Sequence, residues 1–354
     1  MSHRELFCVQ GLPVFQNKMF ADSASALACP TGDMQLVQDD DTGLIFNAAF
    51  DTNLLQYDAD YQNEQACSGV FRQHLDDVQA IIHRHFADNT LLEVGCGKGY
   101  FLEVLQQAGY QVTGIDPAYQ GDNPSMIKAC FTADSGLTAD ALILRHVLEH
   151  IADPVAFLRA LALANGGKGQ IYIEVPCVDW IMERRAWFDI FYEHVNYFRL
   201  ADFHRLFGTV YDSGRVFGGQ YLYVVAELAS LQTPVCQTQD RVQFPSDFLA
   251  DINRFAALAN NQRTAIWGGA SKGVIFALYL QRAGVTVDWV IDINTAKQHK
   301  FIAGTGLQVS APDEAISNLQ AGDCIFVMNS NYLPEIIAAT HNQFTYLQVD
   351  HREF

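Results

Sequence analysis

The chain has 354 residues, 49% hydrophobic and 18% charged, the balance of a globular protein with material for two or three cores. Its formal charge of −18 lacks the basic face that a phosphate-backbone binder needs, which argues against nucleic acid and anionic membranes as partners. No apolar run is long enough for a transmembrane helix, and the opening "MSHRELFCVQG" has no signal-peptide core.

Eight dispersed cysteines without a C-x-x-C fit reduced thiols, so the expected location is cytoplasmic. Residues 1–70 read as a small irregular region, with Gly, Pro, Asp and Asn clusters between short apolar pieces. "FRQHLDDVQAIIHRHFA", 71–87, reads as an amphipathic helix with Phe71, Leu75, Val78 and Ile82 on one face. A β/α alternation follows. "TLLEVG", "QVTGID", "ADALIL" and "GQIYIEVP" are strands, separated by helices such as "YFLEVLQQAG" and "DPVAFLRALALAN". This alternation predicts an α/β fold with a mainly parallel sheet covered on both faces. A short helix near "ADFHRLFG" and an antiparallel pair, "GTVYDSGRVF" and "GQYLYVVAEL", close this unit at about residue 228. Residues 229–261 read as a polar linker and a helix from about 244. A second, smaller Rossmann-like alternation occupies 262–354, from "TAIWGG" to "TYLQVD".

The first chemical constellation is "LLEVGCGKGYFLEVL". Gly95, Gly97 and Gly99 lie in a strand-to-helix turn, where glycine lets the backbone approach a ligand and the helix start offers N–H groups. Glu93 and Cys96 accompany the loop. Asp116 ends the next strand, placed to accept from ribose hydroxyls, and Asp134 follows the third, placed to face an adenine amine. The G-x-G-x-G spacing differs from the dinucleotide fingerprint. It resembles that of class I S-adenosylmethionine (SAM)-dependent methyltransferases over about 70–228.

The second constellation is "FDIFYEHVNYF", Phe188–Phe198, with five aromatics around Glu193 and His194. Its apolar positions follow neither a helix nor a strand period. Topology puts it, with His146 and His150 of "RHVLEHIADP", at the carboxyl edge of the sheet, where open α/β folds bind ligands. A histidine beside a carboxylate suits general acid–base work; a satisfied Glu–His pair in an aromatic cluster is the plain alternative. His146 reads as a loop residue beside the cofactor.

The motif "EVP…FDIFYEHVNYF", with "IWGGASKG", "VIDINTAKQHKFIAGTGLQV" and "NYLPEI", resembles the signatures of sugar-nucleotide C-methyltransferases over nearly the whole chain. That resemblance implies an N-terminal region, a methyltransferase core and a C-terminal Rossmann-like domain. It implies SAM as cofactor and a nucleotide-linked small molecule as substrate, methylated next to a ketone through an enolate. By the same resemblance His194 is the base, Glu193 its neighbour, His150 a second active-site histidine and Tyr61 an active-site tyrosine. The turn with Gly269, Ser271 and Lys272 suits a diphosphate, and Asp292 and Asn294, at the end of the next strand, suit a ribose or a turn cap.

The chain departs from the pattern in three ways. The family tyrosine falls on Phe191, leaving Tyr192 as the nearest hydroxyl. Cys8 and Cys29 are lone thiols where the family has zinc pairs, so no metal is expected. The serines after Tyr61 are only partly kept. Oxygen or nitrogen methylation of another nucleotide-linked metabolite, and a non-catalytic SAM-binding chain, remain alternatives. The oligomeric state is not legible.

Overall fold

The computed structural model describes residues 2–55 and 66–351. Three sheets organise them. The first begins with β1 (His3–Pro13), continues past the short helix α1 (Ser23–Leu27), and adds β2 (Thr31–Asp39) and β3 (Ile45–Asn47). β1 and β2 pair antiparallel across almost their full lengths. This corrects the expectation of an irregular N-terminal region. The period-2 signal is blurred because register shifts between Glu5 and Phe7 and between Val9 and Leu12 interrupt the alternation of faces.

Helix α2 (Gly69–Phe86) starts where the Ser68 hydroxyl accepts from the Phe71 N–H at 3.2 Å. Its predicted face, Phe71, Leu75, Val78 and Ile82, is buried. The alternation then runs β4 (Leu91–Val94), α3 (Tyr100–Gln107), β5 (Val112–Ile115), β6 (Met126–Ile127), β7 (Ala141–Arg145), α4 (Pro154–Ala164) and β8 (Gln170–Pro176). Asp153 caps α4 by accepting from Ala156 N–H at 2.9 Å, with Pro154 at the first turn. Next come α5 (Val178–Arg184), β9 (Asn196–Tyr197), α6 (Leu200–Leu206), β10 (Val210–Val216) and β11 (Tyr221–Glu227). The second sheet has the order β10-β11-β8-β7-β4-β5-β6, parallel from β6 to β8 and antiparallel at β11 and β10. Strands β4 and β7 are buried almost throughout, which is why they read as apolar runs.

The third sheet is parallel, in the order β14-β13-β12-β15-β16. It contains β12 (Thr264–Trp267), β13 (Trp289–Ile291), β14 (Val309–Ser310), β15 (Cys324–Val327) and β16 (Thr345–Gln348). It is preceded by α7 (Ile252–Asn261) and carries α8 (Lys272–Arg282), α9 (Pro312–Asn318) and α10 (Leu333–Ala339).

Residues 186–198 join all three sheets, and every one of them is buried. Their tail is β9, which pairs with β3 through Ile45–Tyr197 and Phe46–Asn196. Trp187 stacks on Phe276 of α8, with ring centroids 5.3 Å apart and planes 10° apart. The stretch expected to be a polar linker is held down. Gln38 donates to Asp240 O and accepts from Val242 N, and Arg199 donates to Asp240 O. Its polarity reflects hydrogen bonds to the first sheet, and α7 starts at Ile252, later than position 244. No helix among the described residues is long and apolar enough to cross a membrane.

Candidate active site

In the second sheet the strand order reverses between β4 and β7; in the third it reverses between β12 and β15. Loops part at such points and leave a crevice beyond the carboxyl ends of the strands. Both crevices open on the same cavity of about 1350 Å³. Pockets for one small molecule usually run to about 300–1,000 Å³, so this one has room for two.

At the β4–β7 end, Gly95, Gly97 and Gly99 have φ of 78°, 55° and 86°, a region that favours glycine. A Cβ on Gly95 would stand 2.3 Å from Val147, whereas one on Gly97 would meet nothing within 4 Å. Asp116 ends β5 and accepts from Gly97 N–H at 2.8 Å and Ala118 N–H at 2.7 Å. Its carboxylate thus stiffens the loop as well as lining the cavity. Glu93 is 3% exposed, lines the cavity, and has one carboxylate oxygen without a hydrogen bond. Burial, with Asp116 adding and Arg145 opposing, pushes its carboxyl up to about 7. That orphaned oxygen, the Asp116 carboxylate and an apolar wall of Ile115 and Phe131 fit a ligand with amine, diol and flat aromatic parts, as SAM has. Cys96 is buried, its thiol pushed up to about 12, first by burial and then by Glu93 and Asp116. Asp134 is exposed and does not line the cavity, because the chain turns back beyond Phe131; Cys130 and Phe131 take its place there.

Beside the loop lies a buried polar cluster of which sequence reasoning named only His146, a residue that also lines the cavity. Glu174, in the middle of β8 and fully buried, accepts from Tyr172 Oη at 2.7 Å and Arg145 at 3.2 Å, and lies 3.0 Å from His146 Nε2 and 3.2 Å from His74 Nε2. Burial pushes its carboxyl up, but Arg145, His146 and His74 hold it well below the usual range. Burial likewise opposes charge on His146, but Glu149 and Glu174 outweigh it and hold the imidazole up at about 9. The signal was present in "YIEVP": a carboxylate inside a strand covered on both faces must find partners.

The Glu193–His194 pair divides between two directions. His194 lines the cavity with Asp189 and Phe191, and its ring lies 4.0 Å from that of Phe191. Burial, then the charges of His150, His146 and Lys272, hold its imidazole well below the ordinary value, so it is neutral. Glu193 turns away. Its carboxylate accepts from Gln16 N–H at 2.8 Å, Asn17 N–H at 3.3 Å and Asn17 Nδ2 at 2.9 Å, all in the first sheet's loop. Its backbone carbonyl accepts from His150 Nδ1 at 2.8 Å. A carbonyl only accepts, so that bond places a proton on His150 Nδ1 and turns Nε2 away from Glu193 O. Tyr192 also faces the first sheet. Its hydroxyl accepts from Asp51 N–H at 2.8 Å and its ring stacks on Phe50. It therefore does not replace the hydroxyl that Phe191 lacks, because Phe191 faces the cavity and Tyr192 the first sheet. Tyr61 lies outside the described residues.

Glu149, His150 and His194 bring donor atoms within 4.8 Å of one another, the one such cluster among the described residues. Two cations, His146 and Lys272, already flank it and would repel a dication.

At the β12–β15 end, Asp292 repeats the part played by Asp116. It accepts from Gly269 N–H at 2.9 Å and Asn294 N–H at 2.8 Å, and Lys297 Nζ lies 3.1 Å away. Gly269 spends its N–H there and does not line the cavity; Gly268 and Ala270 do. Ser271, Lys272, Asp292 and Asn294 also line it. Ser271 donates to Asn17 Oδ1 at 2.8 Å, tying this loop to the one that holds Glu193. Lys272 reaches Asp189 at 3.1 Å and lies 4.8 Å above the Trp180 ring.

Two family models match the chain: a methyltransferase domain over residues 64–210 and a C-methyltransferase C-terminal domain over residues 239–346. C-methyltransferase NovU of Streptomyces niveus is 24% identical over 288 residues, covering 70% of this chain and 68% of that one. A ubiquinone biosynthesis O-methyltransferase of Stutzerimonas stutzeri is 31% identical over 108 residues, covering 25% of this chain and 45% of that protein, so the match spans less than half of it. The Burkholderia thailandensis 1,6-didemethyltoxoflavin-N1-methyltransferase structure overlays with TM-score 0.32 at 18% identity, covering 45% of this chain and 80% of that one, too loosely to add to the fold. The chain is a SAM-dependent methyltransferase, with a methyltransferase domain followed by a C-terminal domain of the C-methyltransferase type.

Proposed function

We propose that the enzyme methylates the carbon next to the ketone of a nucleotide-linked deoxy-keto-sugar, with His194 as general base. The observation that carries this is the position of His194. It lines the one cavity on which the glycine-loop crevice and the C-terminal-sheet crevice both open. The division that goes with the reading is an N-terminal region of 1–70, a core of 71–228, a connector of 229–261 and a C-terminal domain of 262–354.

Bound SAM supplies an electrophilic methyl. Glu93, the Gly95–Gly99 loop and Asp116 hold it at the β4–β7 end. Ser271, Asn294 and the helix start behind them hold the nucleotide at the other end. The sugar ketone then lies between, against Phe191 and His194. A ketone acidifies the neighbouring C–H, and neutral His194 takes that proton. Glu193 fixes the turn that carries His194 and orients His150, so its part is positioning. The aromatic wall limits direct access of water to the enolate, so proton exchange with solvent runs through His194.

The test is incubation with SAM and thymidine diphosphate 4-keto-6-deoxyglucose, followed by mass spectrometry and NMR of the product. A new methyl on carbon, lost in His194→Ala, is the expected result. Methyl on oxygen, or full turnover by His194→Ala, would reject the reading.

A further inference from the structure

We propose that Lys272 is a catalytic group: its ammonium donates a hydrogen bond to the oxyanion formed when the substrate ketone becomes an enolate. The inference rests on the enolate reading above and goes beyond it, assigning to the C-terminal domain a part in the chemistry besides substrate binding.

An enolate must place negative charge on the former carbonyl oxygen, and a buried site has to meet that charge with a donor. Phe191, beside the base, has no hydroxyl to offer, and the Tyr192 hydroxyl is committed to Asp51. Lys272 opens α8 after Ser271, which has a φ of 42°, and both residues line the cavity. It is 8% exposed and lines the cavity together with His194, Phe191 and Asp189. Its Nζ stands 3.1 Å from an Asp189 carboxylate oxygen, yet both atoms are buried and neither makes a hydrogen bond of good geometry among the described residues. The ammonium therefore keeps donors for a ligand. The Trp180 ring face, 4.8 Å away, supports it from another side. Asp189 and His194 belong to the same buried run, so the ion pair fixes the cation relative to the base.

The charge of Lys272 also reaches His194, as one of the causes that keep that imidazole unprotonated. Lys297, by contrast, is taken up by Asp292 at the far end. The electron balance is simple. The α-carbon proton goes to a His194 ring nitrogen; the C–H pair becomes the C=C bond; the carbonyl π pair moves to oxygen, where Lys272 meets it. The carbonyl then re-forms as the enolate carbon takes the methyl and the sulfonium carbon–sulfur bond breaks to a thioether. His194 gives its proton to solvent.

The test uses the whole enzyme with thymidine diphosphate 4-keto-6-deoxyglucose. Two rates are read: methylation with SAM, and exchange of the α-proton in deuterium oxide with S-adenosylhomocysteine bound. Lys272→Met is expected to lower both kcat and exchange by roughly 100- to 1,000-fold, with KM moved less than about 3-fold. Lys272→Arg, which keeps a cationic donor, should recover part of both. The double variant Lys272→Met with Asp189→Asn leaves no buried unpaired carboxylate, and its fold is checked by circular dichroism; it should show the same loss. If Lys272→Met raises KM at unchanged kcat and exchange, Lys272 only binds substrate and the proposal is overturned. If the wild type neither methylates nor exchanges this substrate, the enolate reading fails and the role of Lys272 falls with it.

Discussion

Replacing Glu193 with glutamine separates a structural role from a chemical one. The carboxylate is fully buried and accepts three N–H groups from residues 16 and 17. Glutamine offers one oxygen. If its NH2 takes the place of Oε2, it faces Asn17 Nδ2, donor against donor; if it takes the place of Oε1, it faces two backbone N–H groups. Flipping Asn17 would turn its oxygen away from the Ser271 hydroxyl, now 2.8 Å distant. One charge-assisted bond, worth about 1.5–3 kcal/mol, is lost, and an unsatisfied buried donor adds about 1–3 kcal/mol. Removing a buried charge returns part of this, since burial pushes the Glu193 carboxyl upward. The expected net loss is about 2–4 kcal/mol, seen as a melting-temperature drop of roughly 3–5 °C. Glu193 does not line the cavity, so affinity for S-adenosylhomocysteine should stay within about 3-fold. The assay pairs a thermal melt by circular dichroism with calorimetric titration. An unchanged melt together with a turnover loss of about 100-fold would refute this and return Glu193 to the chemistry.

Three further outcomes follow from single side chains. Glu93 has a folded pKa of about 7 against an ordinary 4.5, so the folded chain favours its protonated form; this stability is complete below about pH 4.5 and is lost as pH rises through about 7. The span is worth about 3 kcal/mol, and Glu93→Gln should match wild type near pH 5 in urea unfolding and exceed it by up to that amount at pH 8; an equal difference at both pH values would show that Glu93 is not the source. Asp116→Ala removes the acceptor of Gly97 N–H and should weaken S-adenosylhomocysteine binding by roughly 10- to 100-fold in calorimetry, whereas unchanged affinity would place the cofactor elsewhere. Tyr192→Phe keeps the stack on Phe50 but frees Asp51 N–H, so stability should fall by about 1 kcal/mol with kcat unchanged. A large kcat loss in that variant would mean that the hydroxyl serves the reaction after all.

The helix of 69–86 and the strands of the two parallel sheets were readable because buried strands are apolar on both faces and a one-sided helix repeats every three or four residues. The glycine loop and Asp116 were readable for a related reason: both sit at fixed offsets from a strand end. The antiparallel sheet of residues 3–47 was not, since two register shifts spoil the alternation on which a strand is recognised. Nor was the fixed path of residues 229–243, whose polar side chains look like those of a solvated tether until Gln38 and Arg199 are found opposite them.

The run Phe188–Phe198 draws the line between local and tertiary information most sharply. Its composition alone announced a Glu–His pair in an aromatic setting. The direction of each side chain was decided by three neighbours distant in sequence: the 16–17 loop that holds Glu193, Asp51 that holds Tyr192, and α8, which stacks Phe276 on Trp187 and sends Lys272 to Asp189. Hydrophobic period and glycine spacing are local properties of a chain, so the α/β architecture and the glycine turn after the first parallel strand are determined by the sequence alone. Which member of an adjacent pair faces the cavity depends on where buried hydrogen-bond partners stand, and only the assembled sheets place those partners.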